Sequence, residues 1–96
     1  MIRHMVVFRL NSMVGPIEET VFFAAAQVLS DIPGVLSFRT HREVSTKNQF
    51  DYGLTMEFAD QGAYDAYNSH PRHAAFVADV WVRDVAEFLE IDLVPR

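Results

Sequence analysis

The chain opens in strict alternation. Ile2, His4, Val6, Phe8 and Leu10 fall on one side of an extended segment, and Arg3, Met5, Val7 and Arg9 on the other. A period of two with β-branched residues predicts a strand over 2–10. Because Met5 and Val7 make the second side apolar as well, both faces need cover, one from helices and one from a partner surface. Gly15-Pro16 then opens a helix, since proline suits the first helical position and Glu18 and Glu19 favour its positive end. Ile17, Val21, Ala24, Ala25, Val28, Leu29 and Ile32 recur at helical spacing and are the expected buried stripe. Pro33 and Gly34 stop the helix and turn the chain.

Segments 35–44 and 50–58 read as two strands around the polar turn 45–49. In the second, Tyr52, Leu54, Met56 and Phe58 share one face, opposite Asp51, Gly53, Thr55 and Glu57. Asp60 is placed to cap a short helix carrying Ala63, Tyr64 and Tyr67. Pro71 begins another, whose apolar stripe is Phe76, Val77, Val80 and Trp81, and a last strand covers 87–94. The order β-α-β-β-α-(α)-β predicts an α+β, ferredoxin-like subunit: an antiparallel four-stranded sheet with helices on one face. Its open face would carry Met5, Val7, Leu36 or Phe38, and parts of the last strand. Two such faces packed together would bury it, which predicts a homodimer.

Composition narrows the class. The 96 residues are read as one domain over 1–96. Half the chain is hydrophobic, with eight phenylalanines, and a domain this small leaves apolar surface uncovered, again favouring an oligomer. A net charge of −5 with eight scattered basic residues argues against nucleic acid as a partner. With no cysteine, disulfides and thiolate chemistry are excluded. The apolar start is too short and too polar for a membrane span and lacks a signal-peptide layout, so a cytoplasmic protein without a membrane partner is expected.

Candidate chemistry is concentrated in Tyr67-Asn68-Ser69-His70-Pro71-Arg72-His73, which holds two of the four histidines. His73 lies near the start of a helix, whose positive end disfavours imidazolium, so it is expected to be neutral and able to accept a proton. Tyr67 can donate a hydrogen bond to a carbonyl oxygen or a developing enolate. His4 projects from the helix-facing side of its strand and could orient the same ligand. The same block also has a purely structural reading. His70 could cap the helix, Pro71 set its path, and Tyr67 fill the core. His70 and His73 supply only two metal ligands and the sequence fixes no third, so neither metal nor cofactor is expected. No serine has a nucleophile elbow and no glycine loop cradles phosphate.

Taken together, Ile2-Arg3-His4-Met5-Val6-Val7-Phe8, Ile32-Pro33-Gly34-Val35, Phe58-Ala59-Asp60, the Tyr-x-x-His-Pro-x-His block and Glu90-Ile91-Asp92-Leu93 resemble the stress-responsive dimeric α/β-barrel family over nearly the whole chain. The resemblance implies a ferredoxin-like subunit whose sheet joins its twin's in an eight-stranded barrel. It implies no single function, because members include heat-stable assemblies and a plant polyketide cyclase that closes a ring by aldol condensation. In cyclase-like members a tyrosine and a histidine placed like Tyr67 and His73 serve the reaction, and a histidine matching His4 lines the pocket. Where the cyclase has a further histidine on its third strand, this chain has Tyr52.

The resulting expectation is a pocket between sheet and later helices, with His73, Tyr67 and His4 catalytic and Tyr52, Phe8, Leu54, Phe76 and Trp81 lining it. It would bind, or convert by proton abstraction, a small apolar carbonyl compound. The alternatives are a non-catalytic stress or assembly protein and a cofactor-free monooxygenase acting on aromatic substrates.

Overall fold

Alternation becomes burial in the first strand. A computed structural model describes residues 1–96, and in it β1 (Ile2–Leu10) buries Ile2, His4, Val6 and Phe8 while leaving Met5 and Val7 half-covered on the other side. The chain continues through α1 (Pro16–Ala26), a 3₁₀ extension (Gln27–Asp31), β2 (Leu36–Arg42), β3 (Tyr52–Phe58) and α2 (Gln61–Ser69). Helix α3 (Pro71–Phe76) runs on without a break into a π turn (Val77–Trp81) and a closing α turn (Val82–Asp84), and β4 (Val85–Leu93) ends the fold. The sheet order is β2-β3-β1-β4, with every neighbouring pair antiparallel. This is the ferredoxin-like α+β arrangement the element order predicts. The helices cover one face, and β2 and β4 are the edges.

Local chemistry explains most boundaries. The Asp60 carboxylate accepts a 2.8 Å hydrogen bond from the Ala63 N–H, satisfying one of the orphan donors at the start of α2. Gly34 sits at φ +92° with Ala63 packed beside it, a left-handed position where a side chain would be strained. In β2, Ser37 adopts φ 53° where the pairing with β3 shifts between Leu36 and Arg39. That irregularity separates neighbours: Phe38 packs against the core, while Leu36 is 42% exposed.

Two expectations about elements need correction. Across α1 and its 3₁₀ extension, Ile17, Val21 and Val28 point outward, Ile17 being 77% exposed, as does Ala24. The buried residues are Phe22 and Ala26, followed by Leu29 and Ile32. This helix is apolar on more than one side, so spacing admits two phases, and the phase that buries the Phe22 ring removes more apolar area from water. The second correction is the π turn, where the Val82 N–H reaches the Val77 carbonyl, a five-residue spacing. Such turns insert into α-helices and recur at functional sites.

Candidate functional site

The Asn68-Ser69-His70-Pro71 junction positions the site. A residue before proline is driven to extended backbone, and His70 has φ −68° and ψ 138°. α2 therefore stops at Ser69, and Pro71 takes the first position of α3, where a missing N–H costs nothing. The His70 Nδ1 accepts a 3.1 Å hydrogen bond from the Arg72 N–H, so His70 is the helix cap. His73, one turn in, donates from Nδ1 to the Asn68 carbonyl at 3.2 Å, satisfying an orphan carbonyl at the end of α2. This bond fixes the tautomer and leaves Nε2 as a lone-pair acceptor.

Between β1, β3 and β4 on one side and α2, α3 and the π turn on the other lies a cavity of about 240 Å³. His4, Tyr67 and His73 all line it, among the apolar walls of Leu54, Met56, Phe76 and Trp81. The Tyr67 ring lies 4.6 Å from His73 and 6.3 Å from His4, centroid to centroid. No fully buried side-chain oxygen or nitrogen lacks a partner. The Tyr67 hydroxyl makes no hydrogen bond within the chain, so it keeps its contact with the cavity.

Environment sets the protonation of the pair. Burial pushes the His73 imidazole below its ordinary value of 6.5; the Asn68 carbonyl and the Glu90 carboxylate oppose this without reversing it. Burial is thus the leading cause of the neutrality for which the sequence suggested the helix start. Tyr67 is driven well above the ordinary phenol value, chiefly by burial and then by Tyr64 and Glu90, so it remains a donor. The result is one neutral acceptor beside one protonated donor.

His4 has a support that sequence reasoning missed. Its Nδ1 donates to Asp92 Oδ1 at 2.6 Å, and the Tyr64 hydroxyl donates to Asp92 Oδ2 at 2.9 Å while standing 2.9 Å from the same imidazole nitrogen. Asp92 is the residue opposite His4 across the β1–β4 ladder. Alternation along β4 puts Phe88, Glu90 and Asp92 on the helix-facing side, a signal present in the sequence. The contact of Tyr64 with both was not legible there. Burial, with Asp92 beside it, holds the Tyr64 phenol far above its usual range, and Nε2 of His4 is left free.

Two expected lining residues lie elsewhere. Phe8 is fully buried in a cluster of tilted rings with Phe22 and Trp81, at 5.5 and 5.0 Å. Tyr52 packs against Phe23 at 5.2 Å, in a shallow depression with Glu19, Thr40 and Arg42. Both share the correct face of their strands, but at the end that the phenylalanines of α1 fill. The third strand reaches the cavity through Leu54 and Met56 instead. Leu54, Phe76 and Trp81 do line the cavity, joined by Phe88 and Glu90 from β4.

The profile of the stress-responsive A/B barrel domain matches residues 2–94. A crystal structure of a dabb family protein with a ferredoxin-like fold from Mesorhizobium loti is 50% identical, covering 99% of this chain and 96% of that one, with a TM-score of 0.94. A dimeric ferredoxin-like protein of unknown function from Thermobifida fusca superposes with a TM-score of 0.83 at 22% identity, over 98% of this chain and 90% of that one. The hydroxynitrile lyase of Passiflora edulis shares the fold at 13% identity, TM-score 0.87, with coverage of 99% and 93%. No curated protein matches the chain, and no helix is long and apolar enough to cross a membrane. The chain belongs to the stress-responsive A/B barrel domain family.

Proposed function

We propose that the chain binds a small, largely apolar carbonyl compound beneath α3 and removes the proton next to its carbonyl group. The observation that carries this reading is the neutral His73 acceptor facing the same apolar cavity as the Tyr67 donor, their rings 4.6 Å apart. His73 Nε2 takes the proton, the Tyr67 hydroxyl donates to the oxygen on which negative charge develops, and His4 is the auxiliary polar group that orients the ligand. Asp92 and Tyr64 keep the His4 ring in register. An enolate formed this way can attack a second carbonyl, the aldol ring closure that the resemblance to polyketide cyclases implies. A lyase among the structural neighbours is compatible with bond-making and bond-breaking on this frame. In size, a cavity of about 150 Å³ accommodates benzene, so 240 Å³ suits one ring with a short substituent.

The test is exchange of α-hydrogens for solvent deuterium in acetophenone and 2-heptanone, followed by NMR. Removing a general base costs about 10²–10⁴-fold, so His73→Asn should slow the protein-dependent exchange by at least about a hundredfold. Equal exchange by His73→Asn and the unaltered protein would reject the base. No protein-dependent exchange with any ketone would favour the non-catalytic reading, in which the His-Pro block only joins two helices.

We infer in addition that the subunit pairs with a second copy through its open sheet face. Leu89 faces Val7 and Ile91 faces Met5 across the β1–β4 ladder, forming one apolar band in which Leu89 is 50% exposed. Solved neighbours described as dimeric support this reading.

A further inference from the structure

Charge around the cavity is one-sided. Of its twelve lining residues nine are hydrophobic, and the lining contains neither lysine nor arginine. Its formally charged member is Glu90, which faces Val6 across the ladder. The other carboxylates of β4 have partners within the chain: Glu87 is bound by Arg9, and Asp92 by His4 and Tyr64. Glu90 has neither an ion pair nor a hydrogen bond. It lies on the helix-facing side of an edge strand, exposed to water, and lines the cavity at its open margin.

Aromatic rings surround the same opening. Phe88, next to Glu90 on that face, is 51% exposed and meets Trp81 edge-on at 5.5 Å. Trp81 in turn lies 6.3 Å from Phe76, and Tyr67 forms the floor. The negative faces of such rings attract cations, most strongly where water is partly excluded. A free carboxylate beside an aromatic wall is the set of groups that recognises an organic ammonium ion. The net charge of −5 adds a field that draws cations and repels anions.

From this we infer that the cavity takes a small organic ammonium compound with an apolar body, with Glu90 as its counter-ion and Trp81 and Phe88 as its aromatic wall. The inference rests on the preceding reading of the cavity as the carbonyl site and names its substrate class: a carbonyl compound bearing an ammonium group. The chemistry favours this class. Proton abstraction places a negative charge on the substrate oxygen in a cavity that already holds a carboxylate, and like charges in a half-dry site oppose each other. An ammonium group on the substrate cancels that repulsion, since the enolate then forms as a zwitterion. A carboxylate or phosphate substrate would increase it.

Three ketones of similar size separate charge from shape: (2-oxopropyl)trimethylammonium, its uncharged isostere 4,4-dimethylpentan-2-one, and 4-oxopentanoate. Trp81 is the single tryptophan, so its fluorescence reports occupancy directly. The cation should bind about tenfold more tightly than its isostere, and 4-oxopentanoate more weakly than either. In Glu90→Gln that preference should shrink to the part the aromatic wall supplies. Raising ionic strength from about 0.01 M to about 1 M, which shortens the screening length from about 30 Å to about 3 Å, should narrow the gap in the unaltered protein. Equal binding of cation and isostere by the unaltered protein, or a cation preference undiminished in Glu90→Gln, overturns the ammonium assignment and leaves the carbonyl site standing. Failure of all three ketones to bind removes both.

Discussion

At the scale of single residues, the proposed site rests on two side chains that burial drives in opposite directions. Burial lowers the His73 imidazole from 6.5 and raises the Tyr67 phenol, so near neutrality one accepts and the other donates. The sign for His73 follows from its direction. Its folded value lies below its unfolded one, so the neutral form dominates at pH 6.5 and protonates only as pH falls through the lowered value. α-Hydrogen exchange plotted against pH should therefore fall on the acid side with a midpoint below 6.5; a midpoint at or above 6.5 would contradict the assignment. The same shift adds stability above 6.5 that is lost as pH falls through the folded value. The seven-residue block made Tyr67 and His73 legible from sequence, and period two made His4 legible. The support of His4 was not, because Tyr64 and Asp92 lie 60 and 88 residues away from it and meet it only after the sheet and α2 are assembled.

Among the elements, those with local chemical marks were readable and those set by packing were not. Asp60 announces the start of α2, and Asp60→Ala should lower stability by about 1 kcal/mol, read from urea unfolding at unchanged slope. A change below about 0.3 kcal/mol would mean the 2.8 Å bond to Ala63 contributes nothing. Gly34 and Pro71 mark their turns equally well. Helix α1 carries no such mark for its orientation, since Phe22, Phe23 and three successive alanines offer the core more than one face. Nor does sequence spacing show the π turn, which places Val77 and Trp81 together on the cavity. Phe8 and Tyr52 illustrate the limit of strand alternation. It assigns the face of a residue but not its position along the strand, and α1 fills that end with its own rings.

For the molecule as a whole, the two faces of one sheet differ in what they carry. The helix-covered face encloses the cavity, and the open face carries the Met5, Val7, Leu89 and Ile91 band. Element order alone indicated both, because four strands with helices on one side leave the second side bare. Sedimentation at micromolar concentration should give twice the 11.0 kDa of one chain, and Leu89→Glu should shift it towards one; an unaltered protein that sediments as a monomer would defeat the pairing.

The most direct test of the cavity as ligand site is NMR of the histidine ring protons during titration with acetophenone. The four histidines divide evenly: His4 and His73 line the cavity, His41 bonds Thr55 on the open face, and His70 caps α3. The account predicts saturable shifts at His4 and His73 with His41 and His70 unmoved. Shifts confined to His41 or His70, or none at His73 at saturation, would contradict it.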